Sequence, residues 1–244
     1  MSETAAELSD AATVMVVRDS AEGPLVFMVR RSARSAFLPD LYVFPGGRVD
    51  AADRHDAGAL LTGSAGAVDP VHVLTAARET FEEVGLLFAD RPVAPGPLAQ
   101  ARRALLAGER AFGQVLRELS VAVDASRLHY FSNWITPKGE FARRFDTRFF
   151  VARAPRDQVA EADAAEVSDG RWLGPRQALA AHERGEIGLI FPTIKHLERI
   201  APYPTVDALL AFARTKPVRT VSPELQEVHD GRTIVMRPEL ENAW

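Results

Sequence analysis

Twenty-nine Lys and Arg stand against 33 Asp and Glu among the 244 residues, a formal net charge of −4, with 47% hydrophobic residues and no cysteine. A chain of this size and composition buries a sizeable core without staples, and the lack of Cys excludes disulfides, thiolate zinc sites and cysteine nucleophiles. The mildly acidic balance argues against broad capture of nucleic acid, which needs a basic face, while a local Arg cluster can still hold a small anion.

In chain order, residues 1–10 are polar and read as a loose terminus, with no basic-then-apolar leader. Residues 13–17 and 25–29 are short β-branched or apolar runs joined by a polar stretch, the pattern of a hairpin. A third strand, 41–44, stops at Pro45-Gly46-Gly47. Residues 51–70 are rich in Ala, Gly and Asp without an apolar period and read as a loop. Over 71–88 the character changes: Val73, Ala76, Ala77, Phe81 and Val84 recur at helical spacing, with Gly85 near the end. Residues 97–120 carry two more helical segments, broken near Gly108 and Gly113. Strands follow at 128–135, 145–152 and 167–173. Pro175 and Pro192 each open a helix, a favoured position for proline, and a third helix spans 206–214. Residues 233–236 suggest a last strand. Helices and strands are mixed along the chain. The reading is one α/β domain over 11–214 with insertions near 54–70 and 95–125, and a C-terminal extension, 215–244, packed on that domain or on a partner. No run approaches the roughly 18 apolar residues of a membrane span, so the expectation is a cytoplasmic chain with no membrane partner.

The informative segment is Arg78-Glu79-Thr80-Phe81-Glu82-Glu83-Val84-Gly85-Leu86. Residues three and four apart share one face of a helix, so Glu79 lies beside Glu82 and Glu83. Like charges at that spacing destabilise a helix by a few tenths of a kcal/mol, a cost a divalent cation would reverse. Taken alone, the pattern also fits a solvated acidic face. Two features point the other way. Ala77, Phe81 and Val84 give the helix a buried side, and the segment follows the Phe44-Pro45-Gly46-Gly47 turn. Arg143, Arg144 and Arg148 are candidates to meet phosphates, since Arg makes bidentate contacts to them. Trp134 could stack on a base or sit in the core. The six His show no zinc spacing.

Gly47 through Leu86 resembles the box of the Nudix family, Gly-x5-Glu-x7-Arg-Glu-U-x-Glu-Glu-x-Gly-U, where U is bulky and apolar. Arg78, Glu79, Glu82, Glu83, Gly85 and Leu86 match; Thr80 takes an apolar place and Asp53 stands where the pattern has Glu. Residues 54–77 separate Asp53 from Arg78 where the pattern has seven, so an insertion splits the box. Arg31-Ser32, the run from Val43 to Asp53, Ser132 to Pro137, and Arg144 to Thr147 with Phe149-Phe150 are similar to the branch that contains a peroxisomal coenzyme A diphosphatase, which also has a split box. The similarity runs from about residue 12 to about residue 200. A second coenzyme A signature of the family would have Arg at Ala36 and Gly at Asp40; only Arg31-Ser32 of it is present.

The resemblance implies a mixed β-sheet sandwiched between helices and a Mg²⁺- or Mn²⁺-dependent hydrolase. It assigns metal to Glu79, Glu82, Glu83 and the Gly46 carbonyl, and catalysis to Glu79 and Glu83 with an acid from a later loop. Glu161, Asp163 and Glu166 are the candidates for that acid, with Glu166 first because it is nearest the 167–173 strand. Arg78 would pair with a box carboxylate and fix its rotamer, and Arg31 and Arg144 would bind substrate. The implied substrate is a nucleoside diphosphate derivative, foremost coenzyme A or acyl-CoA giving 3′,5′-ADP and (acyl-)phosphopantetheine. A nucleotide sugar, ADP-ribose or dinucleotide is the alternative substrate, and a non-catalytic nucleotide sensor the alternative class. Sensors of this fold commonly lose box carboxylates, and all three are present here. Many Nudix proteins are homodimers, which extends the expectation to this chain.

Overall fold

In the computed structural model, which describes residues 7–32, 39–64, 66–139, 143–163, 167–228, 231–241 and 244, the chain begins with β1 (Leu8–Ser20), β2 (Gly23–Arg31), β3 (Leu41–Val43) and β4 (Gly46–Arg48). Then come α1 (Ala51–Asp56), β5 (Leu61–Thr62), α2 (Pro70–Val84), α3 (Pro95–Leu106), α4 (Phe112–Glu118) and β6 (Val123–Asp124). The second half has β7 (His129–Ile135), β8 (Arg144–Arg153), β9 (Val167–Leu173), α5 (Pro175–Glu183), β10 (Gly188–Leu189), α6 (Phe191–Ile200) and α7 (Val206–Thr215). It ends with β11 (Thr220–Val221) and the hairpin β12 (Glu224–Val228) and β13 (Gly231–Val235).

β1 organises the molecule. It is buried on both faces, which is why its centre reads as a continuous apolar run rather than an alternation. Val14 and Val16 face one core with Val73, Ala77 and Phe81 of α2; Met15 and Val17 face a second core with Leu197 of α6 and Leu209 of α7. Helices therefore cover both sides of the sheet, as the α/β reading expects. The sheet runs β10-β3-β2-β1-β8-β7-β11, with β4 also on β1 and β9 also on β2. β1 and β8 are parallel, and β1–β2, β2–β3 and β7–β8 antiparallel, so the sheet is mixed.

One edge of β1 is shared. Val17 to Ser20 pair with β2, whereas Ala11 to Thr13 pair with β4, and the Val14 N–H reaches the Pro45 carbonyl at 2.9 Å. The glycine turn is thus inserted into the sheet where β1 exchanges one neighbour for another. α2 crosses beside it. Pro70 opens α2 behind an Asp69 cap, and Gly85, at φ 74°, closes it in a conformation glycine adopts without penalty. Leu86, Leu87 and Phe88 are buried beyond the helix rather than in it, which shortens the expected 71–88 segment.

Three expectations are corrected. Leu8 to Asp10 are not loose but extend β1 against Arg144 to Asp146; their polar sequence reflects a place at the sheet's rim. Residues 51–70 contain α1, held by a reciprocal cap in which Asp50 accepts from the Asp53 N–H at 2.8 Å and Asp53 from the Asp50 N–H at 3.2 Å. Six residues are too few to show an apolar period, so the cap was the only local signal. Gly113 does not break a helix: it lies in α4, where a Cβ would collide with the Asp56 carboxylate. The C-terminal extension packs on the domain through Trp244, which is 1% exposed and meets Trp134 edge-on at 5.0 Å. Among the described residues no helix is long and apolar enough to cross a membrane.

Candidate functional site

Arg78, on the penultimate turns of α2, is the hub. Its Nε and Nη2 donate to the two oxygens of Asp53 at 2.9 and 2.8 Å, and Nη2 also donates to the Arg48 carbonyl at 2.8 Å. Its Nη1 sits between Glu79 (2.8 Å) and Glu82 (2.9 Å). The planar fork of Arg suits this, serving carboxylates on two sides at once. Burial opposes the charge of Arg78, but the bonds to Asp53 and the fields of Glu79, Asp53 and Glu82 outweigh it and raise its pKa. Asp53 is 2% exposed and accepts a further bond from Thr75 Oγ1 at 2.8 Å. The shorter acid therefore reaches the arginine, because α1 carries it inward. Arg78 thus contacts the carboxylates of Asp53, Glu79 and Glu82, where one pairing was expected of it.

The glycine turn meets the carboxylates from the other side. The Gly46 N–H donates to Glu83 Oε2 at 3.0 Å. Gly47 lies against Glu79: a Cβ there would stand 2.5 Å from the carboxylate. Burial raises the Glu79 pKa to about 7, with Arg78 opposing and Glu82 reinforcing the shift. Among the described residues, the Arg78 guanidinium faces Asp53, Glu79 and Glu82 together. In kind, hard carboxylate oxygens beside a close backbone turn fit Mg²⁺ or Mn²⁺. Among the described residues no three acidic or imidazole groups converge as a finished cage; Glu79 and Glu82 each present one carboxylate oxygen to Arg78.

On the far side of the turn is a cavity of about 510 Å³. Gly46, Gly47, Thr13 and Arg48 bound it on the turn side, and Phe44, Trp134, Phe145, Phe149, Phe191 and Ile234 make it largely apolar. The turn is the seam between the acidic stripe and this cavity. Arg31 lines the cavity, as does Arg143. Arg144 does not: its guanidinium donates to the Thr136 and Pro137 carbonyls at 3.1–3.3 Å and ties the β7–β8 connection. Arg144 opens β8, whereas Arg143 lies in the bend before it. Arg148 is held by Asp146 at 2.5 Å. Trp134 is both cavity wall and core, 3% exposed against Trp244.

Glu161 and Asp163 are brought to the end of α2. The Glu161 N–H donates to the Val84 carbonyl at 3.0 Å and the Asp163 N–H to the Glu83 carbonyl at 2.8 Å. Glu166 lies outside the described residues. Sequence reasoning missed Thr75, and it missed Arg102 and Gln158, whose side chains bond main chain at the same end of α2. No local pattern marks any of them.

Comparison with known proteins bears on this arrangement. The family model described as the NUDT19 Nudix domain matches residues 62–200. The human acyl-coenzyme A diphosphatase NUDT19 is 28% identical across 79% of this chain, and the chain spans 64% of that relative's length. The putative nudix hydrolase 7 of Caenorhabditis elegans is 25% identical across 82% of the chain and 65% of its own length. Among solved structures, the NUDIX hydrolase from Alicyclobacillus acidocaldarius is 30% identical, with a TM-score of 0.74 over 84% of this chain and 96% of that one.

Proposed function

This chain belongs to the Nudix family, and we propose that it hydrolyses the diphosphate linkage of a nucleoside diphosphate derivative with Mg²⁺ or Mn²⁺. The observation that carries the proposal is one juxtaposition: Glu79 and Glu83 pressed on the two glycines of a turn whose other side opens into the cavity. In this reading Glu82 and Glu83 are ligands, Glu79 is a ligand or orients the attacking water, and Gly46 contributes its carbonyl. The cation supplies positive charge to the phosphate oxygens and acidifies a water. Arg78, braced by Asp53, sets the rotamers of Glu79 and Glu82. Gly47 lets backbone approach the carboxylate without a Cβ between them. Arg31 and Arg143 supply cationic groups to the cavity wall; Arg144 acts on the fold of the hairpin. An acid from the 161–166 segment completes the set.

For the substrate, we propose coenzyme A or acyl-CoA, cleaved to 3′,5′-ADP and (acyl-)phosphopantetheine. The largely apolar wall suits a long, weakly polar arm better than a second sugar or nucleotide, and several similar proteins are named acyl-coenzyme A diphosphatases. The test is product analysis across free coenzyme A, acyl-CoAs, ADP-ribose, NADH and nucleotide sugars. Release of 3′,5′-ADP from the coenzyme A compounds at the highest kcat/KM supports the assignment. Preference for ADP-ribose or a nucleotide sugar keeps the chemistry and discards coenzyme A. Tight binding of a nucleotide without turnover leaves a sensor.

A further inference from the structure

The last turn of α2 carries both Glu82 and Glu83, and a helix leaves the carbonyls of its final turn without partners inside the helix. Here each is satisfied from outside or by the cap. The Phe81 carbonyl takes the Gly85 N–H at 3.0 Å, the Glu83 carbonyl the Asp163 N–H at 2.8 Å, and the Val84 carbonyl the Glu161 N–H at 3.0 Å. The Glu82 carbonyl is taken by a side chain: Arg102 of α3 donates to it from Nε at 3.2 Å and Nη2 at 3.0 Å. The same Nη2 donates to the Glu161 carbonyl at 2.9 Å. Gly85 makes room for this guanidinium, since a Cβ there would stand 2.9 Å from Nη1. Gln158 continues the seam, bonding the Leu87 N–H at 2.8 Å and its carbonyl at 3.0 Å.

We propose that Arg102 is a positioning residue, a clamp from the helical insertion that locks the Glu82–Glu83 turn of α2 to the Glu161–Asp163 segment. The inference rests on the metal-dependent reading of the box. Three geometric facts support it. Arg102 reaches the Glu82 carbonyl of the last turn with two donors. Its fork spans two segments far apart in sequence. Its charge lies at the negative end of the helix dipole, in the field of Asp163 and Glu161. Without the clamp the last turn of α2 is free to fray, and Glu82 and Glu83 lose their fixed spacing. The insertion at 95–125 then has a role in the site although it contributes no ligand.

The test is calorimetric titration of Mn²⁺ alone into the full-length wild type, Arg102→Ala and Arg102→Lys, with thermal melts alongside and kinetics of coenzyme A hydrolysis afterwards. The expected result is Mn²⁺ affinity about tenfold weaker in Arg102→Ala, the scale of losing a group that orients ligands. Affinity recovers when guanidinium ion is added at low, non-denaturing concentration, and Arg102→Lys, which keeps charge but not the fork, is intermediate. The kcat falls with KM for the organic substrate little changed. A merely structural arginine would shift the melt without moving Mn²⁺ affinity or responding to guanidinium. Wild-type Mn²⁺ affinity in a folded Arg102→Ala overturns the proposal. If that variant fails to fold, Arg102→Lys decides: unaltered affinity overturns the clamp, weakened affinity upholds it. Failure of the wild type itself to bind Mn²⁺ would strike down the metal-dependent reading first, and this inference with it.

Discussion

Replacing Asp53 by Asn keeps the volume and removes the charge at the most buried acid of the site. Asp53 accepts two bonds from Arg78, one from Thr75 and one from the Asp50 N–H. Bonds to charged groups contribute roughly 1.5–3 kcal/mol each, and removing one partner of a buried ion pair costs roughly 3–5 kcal/mol. Two things moderate the sum. Arg78 keeps Glu79 and Glu82 on Nη1, and the Asn carbonyl still accepts one of the two fork bonds. The amide, however, must aim its NH₂ either at Arg78 Nε or at the side shared by Arg78 Nη2, Thr75 and the Asp50 N–H, all of which serve as donors. The expected loss is about 3 kcal/mol, the lower end of the buried-pair range, or roughly 6–12 °C in melting temperature for a chain of this size. Urea unfolding at pH 7.5, monitored by Trp fluorescence, measures it. A loss below about 1 kcal/mol, the scale of an exposed ion pair, would refute the claim that Asp53 braces Arg78 from the interior. Asp53→Glu, the residue the family pattern has, should also destabilise here, by about 1–3 kcal/mol, because an added methylene has no room at a position 2% exposed.

Gly47→Ala should displace Glu79, whose carboxylate stands 2.5 Å from where the Cβ would be; misplacement on that scale is expected to lower turnover roughly a hundredfold, and steady-state kinetics with wild-type activity in a folded variant would count against the close approach. Trp244→Ala should cost about 3–5 kcal/mol, since the ring is 1% exposed against Trp134 and His196; a melt unchanged from wild type would show the extension to be unimportant for the second core. His196 is buried, donates from Nδ1 to the Pro192 carbonyl at 2.7 Å and shares a bond of 2.6 Å between Nε2 and Ser132. Burial depresses its pKa to about 3. The unfolded chain, with an ordinary pKa near 6.5, therefore binds the extra proton between those values, so the neutral ring's contribution is complete above about 6.5 and declines as pH falls towards about 3. From pH 6.5 to pH 5 this amounts to about 2 kcal/mol; denaturant titrations should show that slope in the wild type and lose it in His196→Gln, and an identical slope in both would assign it to other groups.

The parts of this site that were legible in the sequence are those written in short range. The spacing of Ala77, Phe81 and Val84 placed α2, and the spacing of Glu79, Glu82 and Glu83 placed the acidic stripe on the side away from them. β1 was recognisable only at its centre, because its polar start gains a partner strand more than 130 residues away, Leu8 opposite Arg144. α1 escaped notice for the same reason that Asp53 seemed too short: its stability comes from a cap, and the reach of Asp53 depends on where that helix sits. Arg144 and Arg143 differ in where the strand begins, Arg144 tied to the β7–β8 connection and Arg143 lining the cavity from the bend before it, which residue type does not reveal. Arg102 had no pattern at all, since its partners are main-chain carbonyls at residues 82 and 161.

The measurement closest to the central claim is 3′,5′-ADP release from coenzyme A by wild type and Glu83→Gln, each with Mg²⁺, with Mn²⁺ and with chelator. Gln preserves the size of the side chain and its bond from the Gly46 N–H while removing the charge. Chelator should abolish wild-type turnover, and Glu83→Gln should fall by more than roughly a hundredfold, beyond what losing an outer partner of a ligand costs. Chelator-resistant hydrolysis, or a Glu83→Gln enzyme within a few fold of wild type, would contradict the assignment of the acidic stripe to metal-dependent chemistry.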